Sequence, residues 1–301
     1  MQYLDASAGE DLQYIRQLLL NAGLKITATP VRLAGGSRSY AYAVDELVVR
    51  FPKDEIIWQS MRREQQIIRQ IQPLLSPDLA AKVHQLELMK TEYPFTVSER
   101  FAGKICDNRP PSAFAALYQD LSPLQKDNLA AEITAFMRQI HRMDYRRLTI
   151  PPAPESIDDW NVAANADFDL EIVSEMLKTA SNGKIKLSDF SVAKMNITPA
   201  LCHNDLSGSN LLINPNENDV LVGIIDFGNV RIMPAYIDFF PLYKINRQLA
   251  LAVLRHYNAV SDEKIEQNQI DFMALSYIGY GFYRSQNPHN PYLMKLLQGF
   301  L

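Results

Sequence analysis

The chain has 301 residues, a length that at roughly 100–200 residues per domain suggests two domains or two lobes of one. Hydrophobic residues make up 47% and charged residues 21%, which excludes a disordered or fibrous chain. The formal net charge of −4 argues against a dedicated nucleic-acid binder, and the distant pair Cys106 and Cys202 argues against a disulfide scaffold or a cysteine-rich zinc site. No run approaches the ~18–20 apolar residues of a membrane span. Met1-Gln2-Tyr3-Leu4-Asp5 lacks the basic-then-apolar layout of a secretory signal, so a cytoplasmic protein is expected.

Residues 7–22 read as a helix, with Leu12, Ile15, Leu18 and Leu19 on one face and Asn21-Ala22-Gly23 ending it. Residues 26–33, 39–44 and 46–51 are short and rich in Val, Thr, Ala and Tyr. Gly35-Gly36-Ser37 and Asp45-Glu46 punctuate them, as turns do between antiparallel strands. A long helical pattern runs over 54–75, with Ile57, Met61, Ile67, Ile68 and Ile71 apolar. Residues 81–90 and 94–101 read as two more strands around a turn near Thr91-Glu92-Tyr93. Beyond Gly103 the pattern is mostly helical, over 112–118, 122–145, 156–181, 236–258, 263–283 and 290–300. The exception is 199–227, where Leu211-Leu212-Ile213 and the run from Leu221 to Ile225 flank Asn- and Pro-rich turns. There is no internal repeat and no low-complexity tract. The expected class is α+β: a small antiparallel β lobe over 1–102 and a larger, mainly helical lobe over 103–301.

The segment richest in chemistry is Leu201-Cys202-His203-Asn204-Asp205-Leu206-Ser207-Gly208-Ser209-Asn210, followed downstream by Gly223-Ile224-Ile225-Asp226-Phe227-Gly228. Asp205 and Asn210 are near enough in sequence for one loop to present both to one ligand. Asp226 ends an apolar run, where its oxygens can meet a hard cation, and Mg²⁺ prefers few carboxylates plus phosphate oxygens. An Asp, an Asn five residues later and then Asp-Phe-Gly is the pattern of kinase-type phosphoryl transfer. No HExxH and no GxSxG occurs, so zinc and serine hydrolases of those types are unsupported.

On these motifs the sequence resembles the aminoglycoside phosphotransferase family, a branch of the protein-kinase-like fold, and is most similar to its 2''-phosphotransferase group. The resemblance implies a bilobal fold, Mg²⁺, and ATP or GTP as donor. It implies Asp205 as the residue that accepts or orients the acceptor proton, with Asn210 and Asp226 as metal ligands. It places Arg50 where such enzymes carry a phosphate-binding Lys, with Lys53 as the alternative cation, and Glu64 on the next helix as the partner of Arg50. Ser37 and the backbone around Gly35-Gly36 would cover the triphosphate, or form an ordinary hairpin turn. Backbone groups from Glu99, Arg100 and Phe101 would read the base. His84 and His203 are expected to be structural, His141 to pack beneath the catalytic loop, and His256 and His289 show no partner. Asp238 matches a later family Asp that steadies the helix start or the catalytic loop.

Residues 148–177 hold seven acids and no Lys or Arg. The resemblance puts this stretch at the acceptor site, so Asp158, Asp159, Asp167 and Asp169 are candidate contacts for an amine-bearing acceptor such as an aminoglycoside; a solvated helix face is the alternative. Antibiotic resistance would follow from an aminoglycoside acceptor. After Gly228, however, Asn229-Val230-Arg231 replaces the family's usual Asp and Gly-Asp-Pro, which counts against a standard aminoglycoside. A nucleotide-binding pseudokinase is the competing class, and a protein kinase a further one, without an evident Ala-Pro-Glu segment. Nothing points to a nucleic acid or a membrane as partner.

Overall fold

The computed structural model describes residues 2–4, 11–33, 38–104, 113–150, 170–190, 198–216, 219–262 and 264–301. Ser37, Cys106, Asp158, Asp159, Asp167 and Asp169 lie outside the described residues. The first part of the chain forms a five-stranded antiparallel sheet from β1 (Val31–Arg32), β2 (Ser39–Val44), β3 (Leu47–Pro52), β4 (Glu87–Met89) and β5 (Phe95–Glu99), in the order β1-β2-β3-β5-β4. Side chains alternate across a pleated strand. Tyr42 and Val44, Val49 and Phe51, and Phe95 and Val97 therefore share one face, where they pack on Ile15 and Leu19 of α1 (Leu12–Asn21). The Asp11 carboxylate caps α1 by accepting from the N–H groups of Gln13 and Tyr14.

The helix inserted after β3 is α2 (Glu55–Ile71), capped by Asp54, whose carboxylate accepts from Ile57 N at 2.9 Å. Its apolar residues Ile67, Ile68 and Ile71 do not join the sheet's core. They belong to a larger core built from α5 (Pro123–His141), α8 (Arg247–Val260) and the short strands of the helical part. A third cluster holds α6 (Leu170–Ala180), α9 (Gln267–Ser285) and α10 (Pro291–Leu297) together through Val173, Leu177, Leu275, Phe282 and Leu297. The remaining described helices are α3 (Pro77–Ala80), α4 (Ala113–Asp120) and α7 (Phe239–Ile245). None of the described helices is long and apolar enough to cross a membrane.

Several elements differ from the sequence expectation, each for a local reason. The strand expected over 26–33 is reduced to Val31–Arg32, because Asp45 accepts from both the N–H and the hydroxyl of Thr27 and from Ala28 N. The strand expected over 81–90 shrinks to Glu87–Met89. Its first residues turn to the other part of the molecule, where Ile224 N donates to Lys82 O at 2.7 Å and Val83 bridges Ile224. The helix expected over 236–258 divides into α7 and α8 at Asn246, which is extended and caps α8 with its side chain.

Candidate active site

Two small antiparallel ribbons build the centre. In one, β7 (Leu211–Ile213) pairs with β8 (Leu221–Ile224), with Leu211 opposite Ile224. Asn210, just before β7, and Ile225, just after β8, are then neighbours, and Ile225 N donates to Asn210 O at 3.0 Å. That register carries Asn210 and Asp226 to the same end of one hairpin. In the other ribbon, β6 (Pro199–Cys202) pairs with β9 (Arg231–Pro234), with Cys202 opposite Arg231. The chain leaves β6 into His203-Asn204-Asp205 and enters β9 from Asp226-Phe227-Gly228, so the two motifs emerge side by side.

Asp238 fixes the first of these loops. Its carboxylate is fully buried and accepts from His203 N at 2.9 Å and Asn204 N at 2.5 Å. It also meets His141 Nε2 at 3.0 Å, while His141 Nδ1 meets the Tyr257 hydroxyl at 2.9 Å. Asp238 thus holds the loop that carries Asp205, and His141 packs beneath it. The loop turns at Asn204, which has φ 67° and is one of the few side chains that adopt the left-handed region readily. Asp205 N then donates to His203 Nδ1 at 3.3 Å, and the Asn210 amide donates to Asp205 O at 2.9 Å. With its NH₂ engaged, Asn210 keeps its carbonyl oxygen for another partner; Ser209 Oγ approaches it only at 3.4 Å.

The second loop is held from α2. Arg63, almost completely buried, donates to the carbonyls of Gly228 and, at 2.6 Å, of Val230. Burial, with Arg231 as a neighbouring cation, pulls its pKa down to about 10. Glu64, the next residue, is the hub: its carboxylate takes a 2.6 Å bond from Arg50 Nη2 and a 3.3 Å bond from Phe227 N. His84 Nε2 lies 3.0 Å from the same carboxylate, in ion-pair range but off the axis of a good hydrogen bond. Burial alone would raise the Glu64 pKa, but Arg50 and His84 outweigh it and hold the group down to about 2. The Phe227 ring anchors the turn among Phe136, His84 and His203, with the His203 ring edge-on at 4.7 Å.

Asp226 has φ 63°, a left-handed backbone that costs a non-glycine residue of order 1–3 kcal/mol. Burial pushes its carboxyl up to about 6, and the charges of Glu64 and Asp205 add to the effect, while Arg50 opposes it. A carboxylate so placed is stabilised by a cation, and the Asn210 carbonyl lies at the same hairpin end. Two hard oxygen donors fit Mg²⁺, which prefers few carboxylates together with phosphate oxygens.

The structure brings Arg50, Glu64, Asp205, Asn210 and Asp226 together. Lys53 stands apart, with its ammonium over the Tyr40 ring at 5.0 Å. Glu99 is paired within the sheet, opposite Leu47. The Arg100 amide donates to Glu46 O at 2.8 Å, so of the three residues expected to read a base, its N–H is already engaged. Phe101 lays its ring on Gly223, where an added Cβ would come within 2.7 Å of it. His256, for which the sequence offered no partner, pairs with Asp127 at 2.9 Å on the surface. Arg63 is the contributor that sequence reading passed over. Its position beside Glu64 was visible, but an Arg on a helix gives no sign that it will be buried against backbone carbonyls far along the chain.

The fold and the site define a bilobal kinase-like phosphotransferase. The model of the phosphotransferase enzyme family, APH, matches residues 29–266, and the chain belongs to that family. Among solved structures, the GDP complex of aminoglycoside 2'-phosphotransferase-IIIa superposes with a TM-score of 0.67 at 19% identity, covering 96% of this chain and 98% of that one. The streptomycin–ATP complex of APH(2")-IIa gives 0.58 at 17% identity, over 97% and 96% of the two chains. Macrolide 2'-phosphotransferase type I gives 0.57 at 13%, over 100% and 99%. At these identities the likeness is one of fold.

Proposed function

We propose that the protein is a cytoplasmic small-molecule kinase that transfers the γ-phosphoryl group of ATP or GTP to a hydroxyl of its acceptor. The observation that carries this reading is the meeting of Asn210 and Asp226, at one hairpin end, with Asp205 on the adjoining loop and with the Arg50–Glu64 pair that bonds to Phe227 N. Asp205 takes the proton of the acceptor hydroxyl as its oxygen bonds to the γ-phosphorus. The bond to the β,γ-bridging oxygen breaks, and the nucleoside diphosphate leaves. Arg50, tethered by Glu64, steadies the α/β-phosphates, and Arg63 holds the Asp226 turn in register. Asn210 and Asp226 would hold Mg²⁺, which supplies charge neutralisation for the phosphates. A loose transition state of this kind needs positioning and neutralisation more than covalent chemistry.

The retained Asp205, Asn210 and Asp226 favour this enzyme over a pseudokinase. The acidic run over 148–177 favours an amine-bearing acceptor, such as an aminoglycoside, as the first class to screen. Two variants test the reading with purified protein. Asp205→Ala is expected to cut acceptor phosphorylation by about 10²–10⁴ while sparing nucleotide binding. Asp226→Asn is expected to weaken Mg²⁺-nucleotide binding and nearly abolish turnover. Wild-type turnover in the first, or unchanged metal dependence in the second, counts against it.

A further inference from the structure

The acceptor class can be narrowed from a single cation, on the reading that the Asp205 loop is where the phosphoryl group moves. Lys244 stands on α7, the helix that begins directly after Asp238. Its ammonium lies 5.2 Å from the centre of the Phe240 ring and 5.6 Å from that of Tyr277 on α9. The two rings form a tilted pair with centroids 4.7 Å apart. All three residues are half-buried, Phe240 and Tyr277 at the edge of the core clusters, so the group keeps some exposure to solvent. Among the described residues no carboxylate comes into ion-pair contact with Lys244.

The charge that acts on Lys244 is that of Asp205: burial pushes the lysine's pKa down, and Asp205 works against that shift. Asp226 bears instead on Arg50. Geometry agrees: α7 starts directly after Asp238, whose carboxylate holds the loop that carries Asp205, so Lys244 stands among the helices behind that loop, whereas Arg50 and Glu64 come from β3 and α2. On the proposed reading the acceptor and not the nucleotide belongs on the helical side. Aromatic faces attract an ammonium without neutralising it. A partly desolvated cation without a contacting counter-ion is complementary to an anion.

We propose that Lys244 is an acceptor-side specificity residue, and that the acceptor carries an acidic group, carboxylate or phosphate, near the hydroxyl that Asp205 orients. The same ammonium repels a protonated amine at that place. The acidic run over 148–177 is the opposing signal, and the experiment sets the two against each other.

Three probes share one carbon skeleton and differ in charge: glycerate, glyceramide and aminopropanediol, with kanamycin as a polycation. With Mg²⁺ and ATP or GTP, the wild-type kcat/KM for glycerate is expected to exceed that for aminopropanediol by about tenfold or more. Lys244→Gln is expected to bring the two within about threefold, and Lys244→Glu to reverse their order. Binding is read apart from turnover from the ε-methylene NMR signal of isotope-labelled Lys244, assigned by its loss in Lys244→Gln. Glycerate is expected to shift that signal and aminopropanediol to leave it in place. A preference for aminopropanediol or kanamycin, a charge preference unmoved by Lys244→Gln, or a Lys244 signal indifferent to glycerate overturns the inference. Failure of the kinase reading itself looks different. Glycerate then still shifts the Lys244 signal, but no phosphate reaches any probe and Asp205→Ala consumes nucleotide as fast as the wild type.

Discussion

Glu64 is a hub of the site, since Arg50, His84 and the Phe227 amide all converge on it. Its lowered pKa makes it a source of pH-dependent stability. The folded group titrates at about 2 against an ordinary 4.5, so its contribution is complete above 4.5 and is lost as the pH falls toward 2. By linkage, a shift of that size corresponds to up to about 3 kcal/mol. Urea unfolding of wild type and Glu64→Gln is expected to show a clear gap at about pH 6 that narrows by about pH 3. A gap of constant size would place the pH dependence elsewhere. The pairing of Arg50 with Glu64 was readable from the sequence only through family resemblance, because nothing local ties a strand Arg to a helix Glu. Asp205, Asn210 and Asp226 were legible because short apolar runs bracket them in the sequence itself. The catch that Arg63 makes on the Gly228 and Val230 carbonyls had no such bracket.

At the level of elements, the two short ribbons place the motifs, and α7 locks them. Asp238 sits at the start of α7 and satisfies two backbone N–H groups of the loop that carries Asp205. An Asn at that position offers one acceptor oxygen in place of two. Asp238→Asn is expected to cost about 1–3 kcal/mol for each buried donor left without a partner. Turnover should fall with stability, while nucleotide affinity, which draws on β3 and α2, should hold. Chemical denaturation and nucleotide titration on the same preparation check both halves. β7 and β8 stand out in the sequence as apolar runs around a turn. β9 does not, because Arg231-Ile232-Met233-Pro234 mixes charge and Pro and becomes a strand only against the distant β6. The shrinkage of the strand expected over 81–90 has the same origin: Lys82 and Val83 find partners on β8, which no local pattern announces.

For the whole molecule, the two-part layout could be read from the change of periodicity near Gly103, but the allegiance of α2 could not. Its amphipathic pattern says that one face is buried without saying against what. In the fold, Ile67, Ile68 and Ile71 join the core of the helical part, while α2's Glu64 reaches the sheet through Arg50. Hydrogen exchange is expected to show the end of α2 that carries these isoleucines protected to the same degree as α5, with the short edge strand β1 opening first. Early exchange of that end together with β1 would mean that α2 belongs energetically to the sheet. The segment between the two parts has a tighter fixture. The Phe101 ring rests where Gly223 has no Cβ, Gly103 is pressed among Leu212, Ile213 and Val222, and Lys104 N donates to Ile213 O. The crossing segment is thus wedged against the β7–β8 hairpin at two points, and a side chain at either glycine would have to push it off. Any closure of the sheet on the helical part is therefore expected to turn about this contact, next to the hairpin that carries Asn210 and Asp226. A tilt of the sheet is therefore expected to leave the spacing of Asn210 and Asp226, set within the hairpin itself, largely unchanged.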